Sequence, residues 1–360
     1  MDIEVARTDL EDVRVVDVPS PELADGQARI RVDRFALTAN NITYAVFGEA
    51  MRYWEFFPVA GDDDHRWGRI PVWGFGDVVE SRSPDLAVGE RLYGYLPMST
   101  DLVITVGRAD PRNVSDVAEH RSAMASAYSR YVRCADDPLY RAEREDLQML
   151  LFPLFFTSFV IEDYLADNQR FGSDQTVVSS ASSKTAIGLA HLAHEAGGRM
   201  VGLTSPANLP FVEALGVYDQ VLPYAQVGQI DTTPSVFVDI AGNRDVVQAV
   251  HRHLADHLEH SLVVGGTHWD HRAEGPDEPL PGPAPQFFFA PTQISKRAKE
   301  WGREELDRRT GAAWDRFAGW ASGWIQLVDA RGAPAVVDVY HELLAGHADP
   351  RTGSICSMHS

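Results

Sequence analysis

The sequence predicts an α/β protein built from two parts, one rich in β-strands and one containing a doubly wound parallel sheet. Segments before residue 135 alternate apolar and polar residues, which is the period-2 pattern of half-buried strands. After about residue 145, short apolar runs alternate with segments of helical spacing, which implies parallel βαβ units. A chain of 360 residues is also long enough for two domains, each with its own core.

The β-rich part opens with two alternating segments, residues 13–18 and 28–32, separated by the turn signals around Asp25-Gly26. Further strands are predicted at residues 72–79, 91–95 and 102–106. An aromatic segment, residues 44–67, connects these strands. Aromatic residues concentrated in a connection predict either a pocket wall or the cap of a hydrophobic core.

The second part contains five predicted strands with helices between them. The strands are residues 174–180, 200–204, 221–223, 235–240 and 261–265, and the helices are residues 185–196, 211–215 and 246–258. The proline-rich stretch 275–285 predicts a loop, and residues 294–324 predict a helix. Within the tail, residues 334–358, a strand, a helix at residues 339–345 and a second strand-like piece are expected.

Composition excludes several classes of protein. The 52 acidic residues exceed the 32 basic ones, and the net charge of −20 repels nucleic acid and anionic membranes. Two cysteines, Cys134 and Cys356, are too few for a disulfide scaffold or a four-cysteine zinc site. The N-terminus is acidic, and the longest apolar stretch, residues 149–160, is interrupted by Pro153 and short for a bilayer. We therefore expect a cytoplasmic protein without a membrane partner.

The turn after the first βαβ strand is the main candidate for ligand binding. A loop between a strand and a helix N-terminus offers free N–H groups and a positive dipole end, which suit a phosphate. The residues that fit this role are Ala181, Ser182, Ser183, Lys184, Thr185 and Gly188. Only Gly188 of a GxGxxG pattern is present, so a purely structural βα turn is the alternative.

The same loop also invites comparison with a P-loop. Ser183-Lys184-Thr185 is similar to the end of that motif, and Asp239 closes an apolar strand as a Walker-B acid does. Val178 and Ser183, however, stand at the two glycine positions, where other residues resist the required conformation. A phosphotransferase is therefore disfavoured.

Several stretches together resemble the zinc-independent medium-chain dehydrogenase/reductases of the quinone oxidoreductase type. They are residues 36–41, 73–80, 88–94 and 127–132 in the first part, and residues 181–190, 213–217, 238–242, 265–266 and 342–346 after it. Two motifs, Ser-Ala-Ser-Ser-Lys-Thr at 180–185 and Tyr-Gly-Tyr-Leu-Pro-Met at 93–98, resemble more closely the DUF2855 branch of that superfamily.

This resemblance implies a GroES-like β-barrel domain from residues 1–140 and 290–360, and a Rossmann domain from residues 141–289. The nicotinamide would lie in the cleft between the two domains. NADP(H) is favoured over NAD(H), because the second strand ends in Thr204 and Ser205 without the acid that binds ribose hydroxyls. Lys184 could supply charge to a 2′-phosphate. The other cofactor-binding candidates are Asn208, Ala241, Gly242, Gly265 and Gly266.

The implied reaction is reduction of a quinone or an α,β-unsaturated carbonyl compound. Such a reductase needs a donor for the enolate oxygen and a dry site. The catalytic candidates are Tyr44, Asn41 and Tyr95, and the substrate-binding candidates are Asn40, Tyr53, Trp54 and Phe56. We expect a planar or apolar small molecule as substrate, and the resemblance implies a homodimer. The alternative is a member of the fold that binds a small ligand or partner without a dinucleotide.

No metal is expected. The cysteine and histidine ligands that catalytic zinc needs are missing from the expected places. His253, His257 and His260 lie at helical spacing on the predicted helix 246–258 and its end, without an evident further ligand. The loop at 268–271 offers two more histidines, and the acidic loop at 62–65 predicts a solvated tip.

Overall fold

A computed structural model describes residues 1–264 and 279–360. The chain divides into two compact units, Met1–Leu150 with Ile325–Ser360, and Leu151–Trp324. The sequence instead predicts residues 141–150 in the Rossmann domain and residues 290–324 in the barrel domain. Residues 290–324 lie in the second unit, where Trp314 and Phe317 pack their rings 5.5 and 4.8 Å from that of Phe155.

Strands and helices are numbered along the chain. Within the described residues the strands are β1 Asp2–Ala6, β2 Asp9–Val16, β3 Gln27–Leu37, β4 Trp67–Gly68, β5 Pro71–Ser81, β6 Arg91–Pro97, β7 Asp101–Ala109, β8 Asn113–Asp116, β9 Arg130–Arg133, β10 Gln175–Val178, β11 Arg199–Thr204, β12 Gln220–Pro223, β13 Ser235–Asp239, β14 Leu258–Val263, β15 Gln286–Phe287, β16 Gln326–Arg331 and β17 Thr352–Ser357. The α-helices are α1 Ala39–Val46, α2 Glu145–Asp167, α3 Lys184–Glu195, α4 Leu209–Ala214, α5 Arg244–Leu254, α6 Ala290–Glu300, α7 Arg303–Ala321 and α8 Ala333–Leu344.

The first unit contains a closed antiparallel barrel. Its strands follow the order β3-β5-β6-β9-β8-β7, and pairing of β7 with β3 closes the ring. Strands β17 and β16 extend the sheet beyond β3, and β2-β1-β4 form a separate small sheet. Gly74 permits the close approach of β5 to β3, since a Cβ there would lie 2.3 Å from the Arg34 carbonyl oxygen. The predicted GroES-like barrel is confirmed.

The second unit is a parallel sheet covered by helices. Its strand order is β12-β11-β10-β13-β14-β15, and every pair is parallel. The order reverses between β10 and β13, which is where such sheets bind ligands at the carboxyl ends of their strands. The predicted Rossmann-type, doubly wound sheet is confirmed.

Helix α2 differs from the expectation for residues 149–160. The apolar stretch lies inside a helix of 23 residues that continues through Pro153. Residues 142–167 are long and apolar enough to cross a membrane, and 44% of their most apolar window is buried inside the protein. The core helix of a globular protein meets the same criteria, so length and composition carry no membrane assignment.

Three other predicted elements are corrected. Helix α5 ends at Leu254 because Ala255 adopts a φ of +43°, so the predicted helix 246–258 is too long. The predicted single helix over 294–324 is two helices, which Gly302 separates with a φ of +82°. Residues 334–338 are helical instead of extended, because Pro334 stands in the first turn of α8, where proline is well tolerated.

Candidate functional site

The turn after β10 lies at the carboxyl edge of the parallel sheet, beside the point where the strand order reverses. Ser180 begins the turn with a φ of +53°, in the left-handed region that favours glycine. Ser183 caps helix α3, and its hydroxyl accepts a hydrogen bond from the Ala186 N–H at 3.2 Å. The predicted strand–turn–helix is therefore present at this edge.

Side chains from three neighbouring segments hold this turn in place. The Ser180 N–H donates to the Tyr224 hydroxyl at 3.1 Å, and the Tyr218 hydroxyl donates to the Ala181 carbonyl at 2.9 Å. The Asn208 amide donates to the Ser182 hydroxyl at 3.0 Å. A turn without glycine is thus fixed by hydrogen bonds from elsewhere in the fold. Asn208 is among the residues that the sequence predicts for this site, whereas Tyr218 and Tyr224 are not.

A second set of hydrogen bonds joins the ends of β10 and β13. The Ser179 hydroxyl donates to Asp239 Oδ1 at 2.6 Å and accepts from the Ile240 and Ala241 N–H groups at 2.8 and 3.0 Å. Gly242 N–H donates to Asp239 Oδ1 at 3.1 Å. Burial raises the pKa of the Asp239 carboxyl, although these hydrogen bonds oppose the shift. Asp239 therefore fixes the loop that carries Ala241 and Gly242.

The remaining cofactor-binding candidates have different surroundings. Gly188 faces helix α2, where a Cβ would lie 2.8 Å from the Ser158 hydroxyl oxygen. Thr204 is buried, and its hydroxyl has no hydrogen-bond partner within residues 1–264 and 279–360. Ser205 follows it, half-buried at the end of β11. Gly265 and Gly266 lie outside the described residues, as does the loop at 268–271.

Tyr224, whose hydroxyl accepts the Ser180 N–H, also lines an open cavity of about 530 Å³. The Tyr224 ring lines it together with Val227, Val246 and Ala249, and Asn243 and Asp245 add polar groups. The residues therefore fit a phosphorylated ligand with a flat apolar portion. The hydroxyl-rich turn at the N-terminus of α3 would bind the phosphate, and the cavity offers an apolar wall.

The first unit brings many of the predicted substrate-site residues into one aromatic cluster. The Tyr44 ring lies 4.6 Å from Tyr53 and 5.6 Å from Tyr95, and the Phe56 ring lies 5.2 Å from Tyr95. Trp73, Tyr93 and Tyr128 complete the cluster and were not predicted. Side chains alternate between the two faces of a strand, so Trp73 and Phe75 share one face of β5, and Tyr93 and Tyr95 share one face of β6. That period-2 spacing of aromatic residues is the sequence pattern that could have identified them.

Tyr44 is a buried member of this cluster. Its hydroxyl lies 3.4 Å from the Trp73 indole N–H, which donates to it, and it also interacts with Asn40 and Tyr95. Burial raises the pKa of Tyr44 well above its usual range, and burial raises the pKa of the half-buried Tyr53 to about 12. Both phenols therefore keep their protons at neutral pH.

Two predicted site residues have structural roles in the fold. Asn41 accepts the Thr38 N–H at 2.8 Å within the capping box of α1 and donates to the Pro71 carbonyl at 2.9 Å. Trp54 is 1% exposed, and a Cβ at Gly48 would lie 2.0 Å from its indole nitrogen. Asn41 thus positions α1, and Trp54 belongs to the core of the first unit.

Metal-ligating residues do not gather in the part of the chain that the structure describes, which holds no group of three His, Cys, Asp or Glu residues able to bind an ion. The helical histidine set that the sequence predicts is corrected, because His257 follows the end of α5 and His260 lies in β14. Burial raises the pKa of both Cys134 and Cys356 to about 12, which disfavours the thiolate form that binds metals.

The barrel and the doubly wound sheet together define the fold of the medium-chain dehydrogenase/reductases. Residues 35–349 match the family described as "Protein of unknown function (DUF2855)", and the chain belongs to that family, as the sequence motifs predict. No curated protein matches the chain.

Solved structures with the same fold are similar over nearly the whole chain. CurA from Vibrio vulnificus, in complex with NADPH, is 14% identical, with a TM-score of 0.61 and coverage of 97% of this chain and 94% of that one. A putative NADPH:quinone reductase from Mesorhizobium loti is 14% identical, with a TM-score of 0.59 and coverage of 93% and 88%. YhdH of Escherichia coli K-12, with bound NADPH, is 13% identical, with a TM-score of 0.55 and full coverage of both chains at 100%.

Proposed function

We propose that this protein is an NADP(H)-dependent, zinc-independent reductase of quinones or α,β-unsaturated carbonyl compounds. The observation that carries the proposal is the hydroxyl-rich strand–turn–helix at the point where the strand order reverses. Structures of the same fold were solved with NADPH, which supports the choice of cofactor.

The second unit would bind the dinucleotide through the turn 180–185. The hydroxyls of Ser182 and Ser183 and the first N–H groups of α3 would contact its phosphates. The end of β11 carries the buried Thr204 and the half-buried Ser205 instead of a carboxylate, so a 2′-phosphate would meet no like charge. When bound, the reduced nicotinamide supplies the hydride.

The first unit would supply the substrate-binding surface and a hydrogen-bond donor. A flat apolar substrate would pack against the half-buried rings of Tyr53 and Tyr128. The Tyr44 hydroxyl accepts from Trp73, and its own O–H can then donate a hydrogen bond to the substrate oxygen that gains charge. Tyr95, buried beside it, would orient this hydroxyl.

The test is an assay of nucleotide oxidation with a series of quinones and enones, using NADPH and then NADH. We expect turnover with NADPH that requires an activated double bond and that persists after treatment with a metal chelator. The glycine-free turn also favours a second candidate, a protein that binds a small ligand without a dinucleotide. Absence of nucleotide binding by a folded sample would support this second candidate and overturn the first.

Two further expectations accompany the proposed reaction. We infer a cytoplasmic location, which is supported by the two free, buried cysteines. We also infer that the chain forms a homodimer.

A further inference from the structure

Ser180 adopts a conformation that its side chain disfavours. Its φ of +53° lies in the left-handed region, which glycine enters without steric cost and serine resists. The turn leads directly into helix α3, so the direction of the helix N-terminus depends on this residue. A specific contact must therefore hold Ser180 in place.

Tyr224 provides that contact from another segment. Its hydroxyl accepts the Ser180 N–H at 3.1 Å and also interacts with the Ser180 hydroxyl. The half-buried Tyr224 ring lines the cavity of about 530 Å³ beside Val227 and Val246. One side chain thus contacts both the turn and the cavity next to it.

We propose that Tyr224 is a positioning residue for nucleotide binding, whose hydroxyl replaces the missing glycine by holding Ser180 in the left-handed conformation. The Tyr224 ring then forms the wall against which the purine base of the nucleotide packs. This inference rests on the proposed function, since it assumes that the turn binds the phosphates of a dinucleotide.

The experiment is a double-mutant cycle on the full chain, measured as the dissociation constant for NADPH by nucleotide fluorescence. Tyr224→Phe removes the hydroxyl and keeps the ring, and we expect binding about tenfold weaker. Ser180→Gly removes the need for the hydroxyl, so in that background Tyr224→Phe should change the affinity by less than about twofold. Tyr224→Leu removes the ring and should weaken binding about tenfold or more in both backgrounds.

Tyr164→Phe serves as the matched control, because it removes a hydroxyl that lies 3.3 Å from His260 Nε2 in the same unit. The Tyr164→Phe variant should bind NADPH with the same affinity as the wild type. Thermal unfolding of each variant shows whether a loss of binding reflects a loss of fold.

Three results would overturn the inference. Unchanged NADPH binding by Tyr224→Phe, beside a wild type that binds, would leave the proposed function intact and remove the positioning role. An equal loss from Tyr224→Phe in the wild-type and Ser180→Gly backgrounds would show that the hydroxyl acts by a route other than Ser180. A wild type that binds no nucleotide would overturn the proposed function, and this inference would fall with it.

Discussion

At the scale of single residues, the turn after β10 uses hydroxyl and aromatic side chains where related folds use glycine. Ser180 adopts a left-handed backbone conformation, and its N–H donates a hydrogen bond to the Tyr224 hydroxyl. The Ser182 hydroxyl accepts a hydrogen bond from the Asn208 side-chain amide. Gly188 is present for a different reason, which is the close packing of α3 on α2 at Ser158. A glycine that serves packing should affect stability more than nucleotide affinity.

We therefore predict that Gly188→Ala lowers the free energy of unfolding by about 1–3 kcal/mol, because the added methyl group would lie 2.8 Å from the Ser158 hydroxyl. Gly319→Ala is the control, because a Cβ added at that helical position would have no atom within 4 Å. This substitution should raise the free energy of unfolding by about 0.5 kcal/mol. Urea unfolding measures both. A stable Gly188→Ala protein that has lost NADPH affinity would show instead that Gly188 contacts the ligand.

A second residue-scale prediction concerns Tyr44. Tyr44→Phe should lower kcat about 100-fold, because the substrate oxygen loses its hydrogen-bond donor, and should leave the dissociation constant for NADPH unchanged. Burial raises the pKa of Tyr44, so the phenol stays protonated and wild-type kcat should not fall as the pH rises from neutrality to the ordinary tyrosine pKa of 10.0. Steady-state kinetics over this range tests both statements.

Tyr140→Phe is the control for Tyr44→Phe. The Tyr140 hydroxyl donates to Glu145 at 2.8 Å and belongs to the ion-pair network of the first unit. Its loss should leave kcat within about twofold of the wild-type value. An active Tyr44→Phe enzyme would remove Tyr44 from the proposed chemistry.

At the scale of elements, an ion-pair network anchors the start of α2 in the first unit. Arg91 binds Glu145 with two hydrogen bonds of 2.6 and 2.7 Å, and Glu145 is 5% exposed. Burial alone would raise the pKa of Glu145, but the hydrogen bonds from Arg91 and Tyr140 hold that pKa below its usual value. The stabilisation is therefore present above the unfolded carboxyl pKa and is lost as the pH falls through the lower, folded value.

We predict that Arg91→Gln lowers the free energy of unfolding by about 2 kcal/mol near neutral pH, since it leaves a buried carboxylate without its main partner. The loss should shrink in acid, where Glu145 becomes protonated. Arg351→Gln, which breaks an exposed pair with Asp349, should leave the free energy of unfolding nearly unchanged. If Arg91→Gln lowered the free energy of unfolding equally at neutral and at acidic pH, this explanation of how α2 is anchored would be contradicted.

Most elements were predictable because their signals are local. Period-2 alternation located β2 and β3, and apolar runs followed by helical spacing located β10, α3 and β11. Helix α2 continues through Pro153, where the sequence predicts an interrupted apolar stretch, and α8 begins with Pro334 in its first turn, where the sequence predicts a strand. Proline in the first turn is a local signal for a helix start, whereas at Pro153 the helix on both sides determines the conformation.

The sequence predicts where the candidate site lies in the fold, but not which distant side chains hold it in place. The strand–turn–helix at 180–185 has a local signal, whereas Tyr218 and Tyr224 reach it from segments about 40 residues further along the chain. Tyr44, Tyr53 and Tyr95 likewise meet only through the tertiary fold of the first unit. Contacts between distant segments carry no signal in a single sequence.

At the scale of the whole molecule, strand β15 forms an edge of the described parallel sheet. Phe287 in β15 and Phe289 after it are 58% and 46% exposed, so the edge is apolar as well as unpaired in the described residues. We predict a homodimer in solution that pairs along this edge, since exposed apolar edges favour association.

Light scattering coupled to size exclusion should give about twice the mass of one chain for the wild type. Phe287→Asp should give the mass of one chain, and Val88→Asp, at an exposed turn of the first unit, should leave the dimer unchanged. A wild type with the mass of a single chain would contradict the predicted dimer.

In the proposed function, the glycine-free turn at residues 180–185 still binds NADP(H). Its most direct test is a titration of the purified full chain with NADPH and with NADH, followed by nucleotide fluorescence. We expect saturable NADPH binding that is at least about tenfold tighter than NADH binding, a difference of about 1.4 kcal/mol. A folded protein that binds neither nucleotide would contradict the claim.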